Sequence, residues 1–315
     1  MKAIRNVLDK IKPHFEKGGK YEKFYYLFEA QDTFLFAPNH TTKVKGTQIK
    51  DAIDMKRMMV TVIIAMIPAL IFGIWNVGHQ HFLASGISAE FLDKFLFGSQ
   101  KVLPIIIVSY ASGLFVEGIF AVVRKHPVSE GFLVTGLLIP LIMPVTIPLW
   151  QVALGTIFAV VIGKEVFGGT GFNILNPALT ARAFVFFSYP SQMSGDVWTQ
   201  LGESTVEGYS GATPLAIAAD TTVGKTGTAV LELFQNNWLG YSFENLFYGT
   251  IPGSIGETST LMSLIGAFIL IGTGVGSWRI ILSMFVGGLA MGYIFNIFGA
   301  NPFMQIPPYY HLVMG

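Results

Sequence analysis

The chain has 315 residues, of which 52% are hydrophobic and only 12% are charged. Soluble domains carry about 25% charged residues to cover their cores, so this composition excludes an ordinary soluble protein and predicts an integral membrane protein. The net charge of +1 gives no reason to expect a nucleic-acid partner. The absence of cysteine excludes disulfides, thiolate metal sites and iron–sulfur clusters ligated by this chain.

Residues 1–57 are predicted to form a basic N-terminal arm, because they hold 12 of the 20 Lys and Arg residues. Apolar side chains at Ile4, Val7, Leu8 and Ile11 recur at helical spacing, which predicts a short amphipathic helix ending near Pro13. We expect this arm to be solvated or to lie on the membrane surface.

Residues 58–315 are predicted to form the transmembrane domain, since a helix needs about 20 apolar residues to cross about 30 Å of hydrocarbon. A run at 178–189 is too short to cross alone. The sequence therefore predicts an all-α integral membrane protein, a multi-span helical bundle with one broken segment. The predicted spans are 58–77, 102–123, 132–149, 152–167, 261–275 and 280–298.

Basic residues predict the orientation, because Lys and Arg near the ends of spans mark the cytoplasmic side. The N-terminal arm, Arg124, Lys164 and Arg279 all fall on one side when the spans alternate. That side is predicted to be cytoplasmic, so residues 190–258, with seven acidic residues and one Lys, form an outer loop. His79 and His81 are expected to be solvated in another outer loop rather than to bind a metal.

The stretch 167–178, FGGTGFNILNPA, is unlike a membrane span because it is rich in Gly, Asn and Pro. Irregular backbone at membrane depth is tolerated only where it is buried in protein or lines a cavity. Such broken segments indicate binding sites in transporters. A shorter sequence of similar composition, FGANP at 298–302, suggests an internal repeat.

The predicted outer loop contains Ser210, Gly211, Ala212 and Thr213, followed by Pro214. These residues are small and rich in hydroxyl groups, so an enzyme outside the membrane can reach the Thr213 side chain. The alternative is a turn that precedes a helix.

Long ordered stretches of this chain resemble the B subunits of the bacterial sodium-translocating NADH:quinone oxidoreductases. The resemblance covers nearly the whole chain. It is carried by the N-terminal arm, the 51–59 region, VRKHPVSEGF (123–132), PLWQVALG (148–155), KEVFGGTGFNILNPALTARAF (164–184), SGATPLA (210–216), IPGSIGETSTL (251–261) and SWRII (277–281).

The resemblance implies that Thr213 carries FMN through a phosphoester bond made by a flavin transferase, with Ser210, Gly211 and Ala212 as its neighbours. A phosphoester to a hydroxyl needs no thiolate, which agrees with the absence of cysteine. Glu207 stands where the recognition pattern of the transferase usually has Asp.

The resemblance also implies a non-covalent riboflavin contacted by Asn173 and Asn176, whose amides can donate and accept hydrogen bonds. The alternative for Asn176 is to cap a helix that begins at Pro177. Arg182 can balance a reduced flavin anion, or it can point to the cytoplasmic interface.

Glu117 is the only acidic residue near the middle of an apolar run, and such a costly residue predicts a functional site. It is a candidate for catalysis, for the sodium path or for the quinone pocket; the alternative is a protonated or hydrogen-bonded packing residue. Gly113 is a quinone-site candidate because it leaves room for a flat ring, and Glu29 is a weaker candidate for the sodium path.

The implied function is that of a multi-pass protein within a six-subunit complex of the bacterial inner membrane. Electrons pass from FMN to riboflavin and on to ubiquinone or menaquinone, coupled to sodium export. The chain lacks a Walker A motif and a GxGxxG fingerprint, so we do not expect it to bind NADH itself. The resemblance implies that one partner protein of the complex oxidises NADH and that another, periplasmic, carries flavin. Family members continue with further spans, so the resemblance implies a C-terminally truncated chain.

Two other functions remain open. One is that of the homologous D subunits of the Rnf-type ferredoxin:NAD complexes, which share the flavin site. The other is a secondary transporter that carries a solute at the broken segment and holds no flavin.

Overall fold

The computed structural model describes residues 2–16, 18–36, 55–128, 130–194, 197–202, 206, 209, 211–219 and 241–314. All regular secondary structure in these ranges is helical, which confirms the predicted all-α class. The α-helices are α1 (Lys2–Ile11), α2 (Tyr25–Leu35), α3 (Met55–Ala84), α4 (Phe91–Arg124), α5 (Gly131–Leu141), α6 (Leu149–Val161), α7 (Pro177–Ser188), α8 (Pro214–Ala219), α9 (Phe243–Tyr248), α10 (Thr260–Gly272) and α11 (Trp278–Phe298).

Four helical segments in the described residues are long and apolar enough to cross a bilayer. They are α3, α4, the stretch Leu149–Phe167 and α11. The 34 residues of α4 extend about 51 Å at about 1.5 Å per residue, well beyond the thickness of the hydrocarbon. The four segments contain or overlap the runs at 58–77, 102–123, 152–167 and 280–298, and they confirm an integral membrane protein.

Two predicted full spans are instead short helices. The run at 132–149 contains only α5, of 11 residues, and the run at 261–275 contains α10, of 13 residues. Helix α5 ends at Leu141 because Pro144 lacks the amide hydrogen that would bond to the carbonyl of Pro140 and continue the helical ladder. At about 1.5 Å per residue, α5 covers only about half of the hydrocarbon.

The backbone that follows α5 is buried inside the bundle. Met143 is fully buried, and Leu141 O accepts a hydrogen bond of 2.7 Å from the amide of Gly256. A second bond of 3.4 Å joins Ile255 N to Met143 O. Residues 255–256 therefore satisfy polar backbone groups that lipid would leave unpaired.

Close packing of α3 against α4 depends on glycine. A Cβ atom at Gly78 would lie 1.9 Å from the carbonyl oxygen of Lys94, and a Cβ at Gly98 would lie 1.8 Å from that of Ile74. Small residues let membrane helices approach until their backbones touch. On its other faces, α4 packs against α5 and α6, so it lies at the centre of the bundle.

The two Asn-Pro stretches share local structure. The glycines of the first, Gly168, Gly169 and Gly171, have φ angles of +114°, +95° and +92°, and Asn176 then caps α7. In the later stretch Gly299 has φ of +51°, and Asn301 caps the 3₁₀ helix Pro302–Gln305. Each stretch therefore ends a preceding helix at a glycine and begins a new one at an Asn-Pro pair; the internal repeat itself stays a prediction.

The N-terminal arm begins with the expected helix. Helix α1 ends at Ile11, two residues before Pro13. Arg5 on α1 forms a 2.9 Å ion pair with Asp32 on α2, and Leu27 on α2 lies against Gly118 on α4. The described part of the arm is therefore joined to the bundle at α4.

Replacing Gly98 with Ala should destabilise the bundle, because the new methyl group would overlap the carbonyl oxygen of Ile74. We expect a loss of about 1–3 kcal/mol, typical of overpacking, measured by thermal unfolding of the purified protein in detergent. Gly287→Ala is the matched control, since no described atom lies within 4 Å of its Cβ position. Equal unfolding temperatures for the two variants would contradict glycine-dependent packing.

Candidate functional site

Glu117 and Lys164 form an ion pair in the interior of the bundle. Glu117 lies on α4, Lys164 lies just after α6, and each is 2% exposed. The Lys164 ammonium donates a hydrogen bond to Glu117 Oε1, and it lies 6.0 Å from the ring centre of Phe132. The predicted carboxylate in an apolar span is therefore charge-paired rather than isolated.

A second buried carboxylate lies beside this pair. Glu165 is 1% exposed, and Arg124 at the end of α4 donates a 2.7 Å hydrogen bond to its backbone carbonyl. Glu165 Oε2 is 3.5 Å from Arg124 Nη1 and 4.0 Å from His126 Nε2. The last turn of α4 is thus joined electrostatically to the 3₁₀ turn after α6.

The charges of this cluster balance when His126 is neutral. Glu117 and Glu165 are matched by Lys164 and Arg124, so the cluster carries no formal net charge. One hydrogen-bond acceptor of the cluster remains unused, because Glu117 Oε2 is buried and has no hydrogen-bond partner among the described residues. Glu117 Oε2 is thus a buried acceptor that the described side chains leave unpaired.

Gly113 lies one turn before Glu117, but the space beside it is filled. A Cβ atom there would lie 1.9 Å from the Phe132 ring, which is itself fully buried. Gly113 therefore permits close packing of the chain's own aromatic side chain, in the place where we predicted room for a quinone ring.

Asn173 and Asn176 both make local hydrogen bonds in the broken segment. Asn176 Oδ1 accepts from the amides of Ala178 at 2.9 Å and Leu179 at 3.3 Å, so the capping role of Asn176 is observed. Asn173 Nδ2 donates to Leu175 O at 2.9 Å. The side chain of Asn176 is exposed, which leaves its NH₂ group free to meet a ligand as well.

Arg182 on α7 is paired with an acidic residue. Its Nη1 lies 2.8 Å from Glu257 Oε2, which also accepts a 2.6 Å bond from the Ser254 hydroxyl. The guanidinium lies 5.9 Å from the ring centre of Trp198. Arg182 is therefore directed to the 251–259 segment, the same segment that pairs with the break after α5.

Thr213 is the N-terminal residue before helix α8. Its Oγ1 accepts a 3.2 Å hydrogen bond from Ala216 N. The buried Tyr241 hydroxyl donates to Ala212 O, and Gly211 is also buried. The predicted turn before a helix is thus observed around the candidate flavin threonine, while Ser210 and Glu207 lie outside the described residues.

The two histidines and Glu29 lie on helices. His79 and His81 belong to α3, where a loop was expected; His81 Nδ1 is 2.6 Å from Gln200 O and its ring stacks on Phe97. Glu29 is half-buried on α2 in the arm. Burial, with a smaller contribution from the Glu29 charge, raises the pKa of the neighbouring Tyr25.

Lys164 and Glu165 were missed as candidate site residues. In the sequence they have the pattern of a charged end of a span, and Glu117 lies 47 positions away from Lys164. One signal was available: Lys164 and Glu165 are oppositely charged and directly precede the broken segment. Charges at membrane depth are usually paired with one another, so these two residues were candidate partners for Glu117.

The fold and the buried charge cluster define a polytopic α-helical membrane protein with interrupted helices. The sequence model of the NQR2, RnfD, RnfE family matches residues 42–315. The chain therefore belongs to this family.

Curated relatives match over almost the full length of the chain. A protein from Stutzerimonas stutzeri, named as the B subunit of Na(+)-translocating NADH-quinone reductase, is 47% identical over 99% of this chain and 80% of its own length. The proteins of the same name from Ectopseudomonas mendocina and Chromohalobacter salexigens are each 46% identical over 99% of this chain, and the matches cover 80% and 78% of their lengths.

Replacing Lys164 with Met should destabilise the protein by about 3–5 kcal/mol, because it leaves a buried carboxylate without its partner. The double variant Glu117→Gln/Lys164→Met removes both charges and should recover most of this loss. Thermal unfolding in detergent measures both effects, with Lys101→Met on α4 as the control. A double variant as unstable as Lys164→Met alone would contradict the charge pairing.

Proposed function

We propose that this chain is the membrane-embedded B subunit of a sodium-translocating NADH:quinone reductase. The observation that carries the proposal is the 44–47% identity to relatives of that name over 99% of the chain. The four membrane-spanning segments fit such a protein. The complex would lie in the bacterial inner membrane, with the basic arm on the cytoplasmic side.

The N-terminal arm favours this function over that of the D subunits of the ferredoxin:NAD complexes. The family model also includes proteins of the Rnf type, and its match begins at residue 42. The matches to the quinone reductase proteins cover 99% of the chain and therefore include most of residues 1–41. The arm is thus shared with the quinone reductases.

FMN bound covalently to Thr213 would supply redox chemistry to this chain. The Thr213 oxygen would attack the flavin-bearing phosphorus of a flavin dinucleotide held by a flavin transferase. The new O–P bond forms as the pyrophosphate bond breaks, and the nucleoside monophosphate leaves while the hydroxyl proton is released. The Tyr241 hydroxyl donates to Ala212 O and the Ile217 amide donates to Thr213 O, so the backbone is held on either side of this hydroxyl. Ser210, Gly211 and Ala212 are small, so the phosphate and the transferase can approach.

Asn173 and Asn176 would hold a non-covalent riboflavin by hydrogen bonds to the edge of its ring. Both are in the broken segment, whose glycines have positive φ angles that interrupt the helix. Arg182, paired with Glu257, would stabilise negative charge nearby. Electrons would leave this region for ubiquinone or menaquinone.

Glu117 would bind sodium on its path through the membrane. Its buried position and the absence of a described hydrogen-bond partner at its Oε2 support a cation site. Glu29, in the arm beside α4, is the weaker candidate for the entry of the path. NADH would be oxidised by another protein of the six-subunit complex, and electrons would reach Thr213 by way of a periplasmic flavin-carrying partner.

A secondary transporter is the second candidate, because the interrupted helices at 142–148 and 168–176 resemble the broken helices of transporters. A visible absorption spectrum of the purified protein separates the two functions. Flavin bands support the redox function, and a colourless protein that carries a solute supports the transporter.

Thr213→Ala should abolish covalent flavin, since the substitution removes the hydroxyl to which the phosphate would be esterified. The variant and the parent chain are coexpressed with the flavin transferase, denatured, and compared by in-gel fluorescence under ultraviolet light. Thr213→Ser keeps a hydroxyl and the helix cap and should retain part of the signal. A dark parent band, or a fluorescent Thr213→Ala band, would refute the FMN assignment.

Two substitutions of Asn176 separate capping from riboflavin binding. Serine caps a helix about as well as Asn, whereas alanine costs about 1 kcal/mol. If the amide contacts riboflavin, Asn176→Ser should keep the unfolding temperature of the parent but lose non-covalent flavin, measured by chromatography of an acid extract. Full riboflavin content in Asn176→Ser would show that the residue acts as a cap alone.

A further inference from the structure

The ammonium of Lys164 occupies the position of a cation at Glu117. It donates to Oε1 and shares the buried environment of the carboxylate. The other carboxylate oxygen faces no described hydrogen-bond donor. A sodium ion that binds Glu117 therefore meets a carboxylate whose charge is already neutralised by Lys164.

Charge balance makes simultaneous occupancy unfavourable. Glu117 is paired with Lys164 and Glu165 with Arg124, so the cluster is already neutral when His126 is neutral. An added sodium ion would place two cations on the single buried carboxylate of Glu117, where uncompensated charge is expensive. The side chain of Arg124 is 37% exposed, so solvent screens its charge and Glu165 can accept a buried cation. Sodium is thus favoured only when the ammonium moves away from Glu117.

Glu165 offers the displaced ammonium a new partner. It is adjacent to Lys164 in the chain and is almost fully buried. Its Oε2 lies 3.5 Å from Arg124 and 4.0 Å from His126, both longer than the roughly 2.7–2.9 Å of a charge-assisted hydrogen bond. Glu165 therefore has acceptor capacity for a second cationic group.

We propose that Lys164 is a built-in competitor of sodium at Glu117: its ammonium leaves the carboxylate for Glu165 when sodium binds, and this exchange sets the sodium affinity of the path. Lys164 is a positioning residue, since it acts through the Glu117 carboxylate and does not itself contact sodium, flavin or quinone. The inference rests on the proposed function, because it assigns sodium to Glu117.

Two substitutions of Lys164 have opposite expected effects. Lys164→Met removes the competitor, so the sodium concentration for half-maximal turnover should fall at least about tenfold, because sodium then relieves an unpaired buried carboxylate. Lys164→Arg introduces a guanidinium that can bind both carboxylate oxygens, so the same concentration should rise. A role in packing alone would not move the two variants in opposite directions.

The experiment measures NADH-driven quinone reduction by the whole complex while NaCl is titrated against KCl at constant ionic strength. Lys101→Met is the control and should leave the sodium dependence unchanged, and the KM for quinone should be unchanged in all variants. If Lys164→Met does not assemble, Lys164→Arg decides: a higher half-maximal sodium concentration supports the exchange, and an unchanged or lower one overturns it.

Different results would refute the ammonium–sodium exchange and the proposed function. A parent complex whose turnover does not depend on sodium would refute the proposed function. A sodium-dependent parent whose half-maximal concentration is the same in Lys164→Met and Lys164→Arg would refute the exchange and leave the proposed function standing.

Discussion

A bilayer offers no water to backbone amides or to charges, so this chain must satisfy both within itself. The constraint is visible at the break after α5 and at Glu117. The break is paired with the backbone of residues 255–256, and Glu117 on α4 is paired with Lys164. Interrupted backbone and buried charge are both costly in lipid, and both are placed where other parts of the chain can compensate them.

The same constraint positions the candidate site. The turn that follows α6 carries Lys164 and Glu165 back to α4, and it leads directly into the glycine-rich segment capped by Asn176. The segment at 251–259 meets both the break after α5 and Arg182 on α7. Glu117, Lys164 and the cap residue Asn176 therefore lie on or beside α4, α6 and α7, of which α4 packs against α6 and α6 packs against α7.

Composition and hydropathy predicted the membrane class, four of the spans and the unusual position of Glu117. They did not predict that the runs at 132–149 and 261–275 hold helices of only 11 and 13 residues. In the first run, apolar residues such as Ile142, Met143 and Val145 continue past the end of the helix. Pro140 and Pro144 were the local signal for the first one. The pairing of Glu117 with Lys164 could not be predicted either, since a single sequence does not show which distant residue contacts a given side chain, and these two are 47 positions apart.

What is known of Thr213 comes from two sources. The resemblance names the threonine, while the structure shows a half-buried hydroxyl at a helix start, next to a backbone held by Tyr241 from a separate segment. Gly113 shows the opposite case, because the small residue expected to admit a quinone receives Phe132 instead.

The most direct test of the proposed function is sodium uptake by inverted vesicles or liposomes that hold the whole complex, followed with radioactive sodium after addition of NADH and a quinone. A primary sodium pump predicts accumulation that persists in the presence of a protonophore and stops when the quinone is withheld. Uptake that a protonophore abolishes, or that proceeds without NADH and quinone, would contradict a redox-driven sodium pump and favour a secondary transporter.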